Sequence, residues 1–256
     1  MVQIDSAPVL GIKPVAENTF VLSFRSPQLS NQIQPGQFLN IKVASGTDPL
    51  LRRPFSVYYT HDDIVEIIFN VIGKGSAALC RKHAGDQLNV LGPLGVPFST
   101  SKDDFDLALL VGGGLGVAPL PLTTLALRRL GKTIRTYLGA RSASYMVESH
   151  LENLSIATDD GSQGFHGTVV DLLRAEYDTF KRKRIRIFAC GPTLMLRAVA
   201  KFAMETNIPC EVSLEGPMAC GFGICQGCPV ELVDENRKYA LMCKDGPTFD
   251  VRRIKF

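Results

Sequence analysis

Val111-Gly112-Gly113-Gly114-Leu115-Gly116-Val117-Ala118-Pro119 joins the apolar run 106–111 to a helix-like stretch that reaches about Leu130. The glycines let the chain turn tightly where a buried strand ends. The helix that opens next directs free N–H groups at the turn, an arrangement suited to a pyrophosphate. Strand, glycine turn and helix in this order are the start of a βαβ unit. The turn is not a complete G-x-G-x-x-G, because Pro119 stands where the third glycine would be. A proline suits the first turn of a helix, where its missing N–H costs nothing.

Downstream the alternation continues. Buried-strand candidates fall at 134–138, 154–157, 185–189 and 210–214, with helical stretches between them, most clearly 192–206. This predicts an α/β domain on a parallel sheet. The acidic ribose ligand expected roughly twenty residues after the glycine turn is missing. No Asp or Glu lies between Asp106 and Glu148, and the second strand ends in Gly139-Ala140-Arg141-Ser142. Arg141 either meets a 2′-phosphate or caps a strand end in solvent, so the choice between NAD and NADP stays open.

Upstream the pattern changes. Short runs rich in β-branched and aromatic residues at 10–15, 20–24, 38–43, 55–59 and 65–72 are mostly separated by turn residues such as Pro35-Gly36 and Asp62-Asp63. They predict an antiparallel barrel or sandwich, with one helical start at Gly75-Ser76-Ala77-Ala78-Leu79. In Arg52-Arg53-Pro54-Phe55-Ser56, Arg53 is placed to pair with a phosphate, and Phe55 and Ser56 to flank a flat ring. Gly73-Lys74-Gly75-Ser76 offers a second anion site, with N–H donors expected from Ser76 and Ala77.

Downstream of 216, four cysteines are spaced as Cys220-x4-Cys225-x2-Cys228-x14-Cys243, among Gly221, Gly223 and Gly227. The first three have the spacing of a plant-type ferredoxin loop around a 2Fe–2S cluster. Glycines allow the backbone to pass close to such a core. The alternatives are structural zinc, which favours two C-x2–4-C knuckles where this chain has one, and a disulfide framework. Two strands are expected in the tail, at 230–233 and 239–242.

The bulk figures exclude more than they assign. The chain has 256 residues, 45% of them hydrophobic and 21% charged, with a net charge of +3. That suits a globular protein of more than one module and gives no ground for a nucleic-acid or anionic-membrane partner. The one dense basic run, Lys181-Arg182-Lys183-Arg184, reads as a solvated helix end or loop. No segment has a membrane span's apolar length, and the N-terminal residues lack a signal peptide's pattern. Seven cysteines, odd in number, suit a reducing, cytoplasmic setting. The four histidines show no metal or triad spacing, and Cys80 and Cys210 read as core residues.

Taken together and in this order, the motifs resemble the ferredoxin–NAD(P) reductase superfamily. The tail from Ser213 to Cys243 is similar to the electron-transfer subunit of the NAD-dependent, type B, dihydroorotate dehydrogenases. The resemblance implies three modules: an FAD-binding β-barrel at 1–102, an NAD-binding α/β domain at 103–215 and a 2Fe–2S domain at 216–256. It places FAD on Arg53, Pro54, Phe55 and Ser56, on Asn70, Val71 and Ile72, and on Lys74, Gly75, Ser76 and Ala77. Gly112, Gly113, Gly114, Gly116 and Pro119 would face the nicotinamide nucleotide, as would Thr158-Asp159-Asp160-Gly161-Ser162. Cys190, Gly191 and Pro192 would sit beside the nicotinamide, with Cys190 either orienting the ring, not acting as a nucleophile, or simply a small buried cysteine that ends a strand. Cys220, Cys225, Cys228 and Cys243 would hold the cluster.

The implied activity is that of an oxidoreductase subunit in pyrimidine biosynthesis. Electrons would leave dihydroorotate at the FMN of a catalytic partner subunit, cross the cluster singly, collect on FAD and depart to NAD. The implied assembly is a heterotetramer with two of each subunit. Met218, Phe222 and Ile224 around the cysteine loop either form an exposed apolar docking face or are packed inside. Subunits of NADPH-dependent ferredoxin reductase and sulfhydrogenase-type complexes share this flavin-plus-cluster design and give the alternative reading.

Overall fold

A computed structural model describes residues 2–44, 46–234 and 236–256. The N-terminal half forms six strands: β1 (Val2–Ala16), β2 (Thr19–Arg25), β3 (Phe38–Lys42), β4 (Arg53–His61), β5 (Ile64–Asn70) and β6 (Gln87–Leu94). Two short helices, α1 (Pro27–Ser30) and α2 (Lys74–Cys80), lie between them. The strands pair antiparallel and close in the order β1-β2-β5-β4-β3-β6, a barrel and not a sandwich. Leu39, Ile41, Val57, Val65, Ile67, Leu88 and Val90 fill it. Alternation along β3 sends Leu39 and Ile41 inward, so Phe38 and Asn40 face out. Phe38 accordingly joins the core of the second half.

Two parts of the barrel are not among the strands expected from sequence. β6 is absent from those strands and contains Gly92-Pro93, where a Cβ on Gly92 would fall 2.3 Å from Leu39 Cδ2. β1 is far longer than the expected 10–15. Its first residues pair with β6 and its later ones with β2, with register shifts between Ile4 and Ala7, Val9 and Gly11, and Pro14 and Ala16. Two of the irregular steps fall at Gly11 and Pro14, and such steps bend a strand around a barrel.

The second half is the α/β domain. β7 (Leu107–Gly113), β8 (Thr133–Ala140), β9 (Leu154–Thr158), β10 (Phe165–His166), β11 (Ile185–Cys190) and β12 (Cys210–Ser213) form its sheet, with helices α3 (Leu120–Arg129), α4 (Val169–Glu176) and α5 (Thr193–Glu205). Every residue of β7 is buried, as its unbroken apolar run requires at the centre of a sheet covered on both faces. The order β10-β9-β8-β7-β11-β12 reverses direction between β7 and β11, and the crevice at such a switch point is where α/β sheets bind ligands. α4 starts on a capping box, in which Thr168 and Asp171 satisfy each other's backbone N–H groups.

The tail is less separate than a third module implies. β13 (Pro229–Glu231) and β14 (Tyr239–Leu241) pair with each other, and the short helix α6 (Met242–Asp245) follows. β15 (Thr248–Asp250) then returns to the edge of the α/β sheet, antiparallel to β12. The sheet is therefore mixed and not wholly parallel. Cys228, Val230, Met242, Cys243 and Phe249 share one apolar core with β7 and β11. Among the described residues no helix is long and apolar enough to cross a membrane.

A cleft between barrel and sheet as candidate active site

Barrel and sheet face each other across one cleft of about 1300 Å³. This is roomier than the ~300–1,000 Å³ typical of a single small-molecule site. From the barrel it is lined by Arg53, Pro54, Phe55, Ser56, Asn70, Ile72, Lys74, Gly75 and Ser76. From the switch point of the sheet it is lined by Gly113, Gly114 and Pro192. These residues are far apart in sequence, and the topology brings them to one place.

Val71, Ala77, Gly112, Gly116, Pro119, Cys190 and Gly191, which the sequence places at the site, do not line the cleft wall. Ala77 does not offer its N–H to an anion as expected, but donates it to the carbonyl of Gly73 at 2.9 Å. The unspent donors of α2 are those of its first three residues, Lys74, Gly75 and Ser76. The Ser76 hydroxyl accepts from the N–H groups of Ile72 and Gly73 at 3.0 and 3.3 Å, which pins the entry to that turn. Pro119 does not open the helix directly after the glycines. A 3₁₀ turn (Gly114–Val117) intervenes, and Pro119 caps α3, its carbonyl accepting from the Thr123 N–H and hydroxyl.

The glycines of the turn divide by job. Gly114 has φ +53, and a Cβ there would meet nothing within 4 Å, so it supplies the left-handed backbone and leaves the wall open. Gly116 lies instead against the end of β11. Cys190 is fully buried, and burial pushes its thiol well above the ordinary range, with Glu215 adding to the rise. It is a neutral thiol packed behind the wall.

The barrel wall is pre-shaped for an anion and a ring. Arg53 lies along Gly75, where a Cβ would come 3.0 Å from its Nε, and its Nη1 donates to the Leu51 carbonyl at 2.8 Å. Phe55 packs edge-on against Phe69, with centroids 5.9 Å apart. A guanidinium, three helix N–H groups, an aromatic face and a serine hydroxyl on one wall fit a flavin nucleotide.

Several wall residues escaped the sequence reading. Glu17, Asn18 and Thr19 come from the turn between β1 and β2, and Tyr145 from the 3₁₀ turn Ala143–Tyr145. These two turns meet: the Glu17 N–H donates to the Ser144 carbonyl at 2.8 Å. The Ser144 and Tyr145 hydroxyls donate to the Glu17 carboxylate at 2.7 and 2.8 Å. Nothing in the sequence around Glu17 signals this contact, because its partner Ser144 lies 127 residues away. Arg141 and Asp159 both line the cleft, at the adjoining ends of β8 and β9. Asp160 turns away to cap its own loop through Ser162. None of the four histidines lines the cleft.

Leu214, Glu215, Gly216 and Met218 continue the wall directly into the cysteine loop. Glu215 lies on the cleft wall, and desolvation raises its carboxyl above the usual value. Cys228 and Cys243 are buried with sulfurs 3.2 Å apart, whereas Cys225 is exposed and Cys220 intermediate. Burial pushes the Cys220 thiol up, but the N–H groups of Cys225, Phe222 and Ile224 and the Cys225 thiol outweigh it, lowering it to about 6. Such donors favour the thiolate that iron requires. The loop wraps tightly, with positive φ at Gly221 (+81), Gly223 (+90) and Gln226 (+59). The donor set, two interacting sulfur pairs under a loop of inward N–H groups, fits a binuclear iron–sulfur cluster. Among the described residues no three His, Cys, Asp or Glu side chains gather closely enough to hold a single metal ion.

Comparison with known proteins agrees with this layout. Residues 215–255 match the family described as the iron–sulfur cluster binding domain of dihydroorotate dehydrogenase B. The chain is similar to the dihydroorotate dehydrogenase B (NAD(+)) electron transfer subunit of Desulforamulus reducens, 34% identical over 97% of each chain. It is likewise similar to that of Geobacillus kaustophilus, 38% identical over 92% of each. Among solved structures it is similar to the NADH-dependent reduced ferredoxin-NADP oxidoreductase, with a TM-score of 0.86 and 32% identity over 100% of this chain and 91% of that one.

Proposed function

Because the chain belongs to the family of dihydroorotate dehydrogenase B (NAD(+)) electron transfer subunits, we propose that it carries electrons from a catalytic dihydroorotate dehydrogenase subunit to NAD+. The observation that carries the reading is the single cleft whose walls come from the barrel, from the switch point of the sheet and from the approach to the cysteine loop. In this reading flavin and nicotinamide share the cleft, and its wall leads on toward the cysteine loop.

In this reading the wall at Arg53–Ser56 and the first turn of α2 hold FAD. Arg53 and the N–H groups of Lys74, Gly75 and Ser76 neutralise its pyrophosphate. Phe55 and Ser56 flank the ring. Gly113, Gly114 and Pro192 receive the nicotinamide nucleotide, with Asp159 and Arg141 at its ribose end, while Cys190 and Gly191 support the wall from behind. Cys220, Cys225, Cys228 and Cys243 hold a 2Fe–2S cluster. A flavin, when bound, exchanges both single electrons and hydride, which links a one-electron cluster to a hydride-accepting nicotinamide. The facing walls hold the two nucleotides against each other and exclude water between them.

The exposed tip of the cysteine loop, with Ile224 74% and Phe222 38% accessible, is where the catalytic subunit docks. Met218, expected to share that face, packs against the core instead. We assign the assembly as a heterotetramer with two copies of each subunit, at work in pyrimidine synthesis. A cytoplasmic setting fits seven cysteines, none of them in a disulfide.

The test is anaerobic titration of the purified chain with NADH and with NADPH, followed by visible absorption. Flavin bleaching and cluster reduction by NADH in preference to NADPH are expected. A colourless protein that responds to neither would overturn the reading. A second reading, a subunit of a ferredoxin-reductase-type complex, draws on the 0.86 TM-score match and on Arg141 at the cleft. Preference for NADPH would favour it.

A further inference from the structure

The outward face of β3 touches both halves of the proposed electron route. Phe38 lines the cleft, and Asn40, two residues on and therefore on the same face, reaches the cysteine loop. Asn40 is completely buried, and its Nδ2 donates to the carbonyl of Cys220 at 3.0 Å. Gly221 abuts the same carboxamide so closely that a Cβ there would fall 2.5 Å from Nδ2. The Asn40 main chain is itself held. Its carbonyl accepts from Arg52 Nη1 at 3.2 Å, and Arg52 also reaches the Asn89 carbonyl on β6 at 3.1 Å. In the barrel ladder Asn40 stands opposite Pro54, one residue from Arg53.

A wholly buried asparagine on a barrel is unusual on stability grounds, since an apolar side chain would serve packing better. This one leaves its Oδ1 buried without a partner, an unfavourable arrangement for a polar atom. Packing alone does not account for it. Its one side-chain hydrogen bond goes to the residue that begins the cysteine loop, 180 positions away.

We propose that Asn40 is a positioning residue that sets the cysteine loop against the flavin wall, and so governs electron exchange between the cluster and flavin sites. The inference rests on the functional reading above and adds the residue that couples its two sites. The amide fixes the Cys220 carbonyl, and the carboxamide sets the height at which Gly221 passes over the barrel. Hydrogen bonding around a cluster tunes its reduction potential, so moving this anchor moves the potential as well as the distance.

The test uses the reconstituted FAD- and cluster-containing chain with Asn40→Leu, which has similar volume and removes the donor together with the unpartnered acceptor. Asn40→Ser, small and polar, is the second variant should the first fold poorly. Both are expected to keep flavin bleaching by NADH. At a fixed applied potential their ratio of oxidised to reduced cluster should change by about tenfold, equivalent to about 59 mV for one electron. The cluster's electron paramagnetic resonance spectrum should change, and amide exchange at residues 220–227 should speed up. Unaltered cluster spectrum and potential in both variants would overturn the proposal while leaving the functional reading intact. A parent protein that binds no iron would overturn both.

Discussion

Gly116 and Cys190 meet so closely that a Cβ on the glycine would lie 2.1 Å from the Cys190 carbonyl oxygen and 2.4 Å from its carbonyl carbon. The obstacle is backbone of the central strand β11, which cannot swing aside as a side chain would. Gly116→Ala is expected to destabilise the α/β domain by about 3 kcal/mol, the upper end of ordinary overpacking, read by urea unfolding. Gly114→Ala makes the contrast, because it has free space and suffers only its positive φ. It should cost about 1 kcal/mol.

Glu17 ties barrel to sheet, and its carboxyl sits below the usual range because the Ser144 and Tyr145 hydroxyls donate to it. A lowered pKa means that the tie is complete above the unfolded value near 4.5 and is lost as pH falls through the folded one. Acidification through that window should loosen the two halves, read as faster amide exchange at 143–145. Glu17→Gln should show the looser state already at neutral pH and little further change on acidification.

Asp159 and Arg141 stand at adjoining strand ends on the cleft, where, under the proposed function, the first would repel and the second attract a 2′-phosphate. Asp159→Ala is expected to improve NADPH use relative to NADH by about tenfold, about 1.4 kcal/mol of discrimination. Arg141→Ala should act in the opposite sense. Steady-state reduction of the flavin by the two nucleotides measures both.

Ile224 is apolar, mostly exposed and one residue from Cys225. Ile224→Asp should weaken association with the catalytic subunit by at least about tenfold, as removal of a central apolar contact does. Flavin and cluster spectra should stay unchanged. Phe222→Asp should act likewise, and size-exclusion chromatography of the mixed subunits reads the result.

Replacing Cys228 by Ser should remove the cluster absorption and destabilise the tail, because Cys228 also packs in the core beside Val230 and Met242. Cys225→Ser, at an exposed position, should lose the cluster with little change in fold. Iron analysis together with thermal unfolding separates the two.

Much of the fold and site is legible along the chain, because the signals are local. An unbroken apolar run means a strand buried on both faces, and glycines after it mean a sharp turn into a helix. Three cysteines at the spacing of a plant-type ferredoxin loop, with a fourth after a shorter gap, point to thiolates around a metal core. These readings depend on neighbours within a few residues, and β7, α2 and the cysteine loop all lie where they place them. Local signals fail where a residue's role is set by distant atoms. The strand β6, interrupted by Gly92-Pro93, is not among the expected strands, since only the closed barrel supplies its pairing partners. Ala77 reads as an anion donor until the helix assigns its N–H to Gly73.

Periodicity and the bonding needs of single residue types thus define, from the chain alone, a strand-rich half, an α/β half and a cysteine-bearing tail, while the flavin and nicotinamide chemistry follows from the resemblance of their motifs to a known family. How those chemistries come to share one cleft depends on long-range packing. Closing the barrel carries Asn40 to Cys220, the β1–β2 turn brings Glu17 to Tyr145, and β15 returns the tail to the sheet. The partners lie far apart in sequence, 180 positions for Asn40 and Cys220 and 128 for Glu17 and Tyr145. Nothing in a short window of residues encodes the packing that selects them.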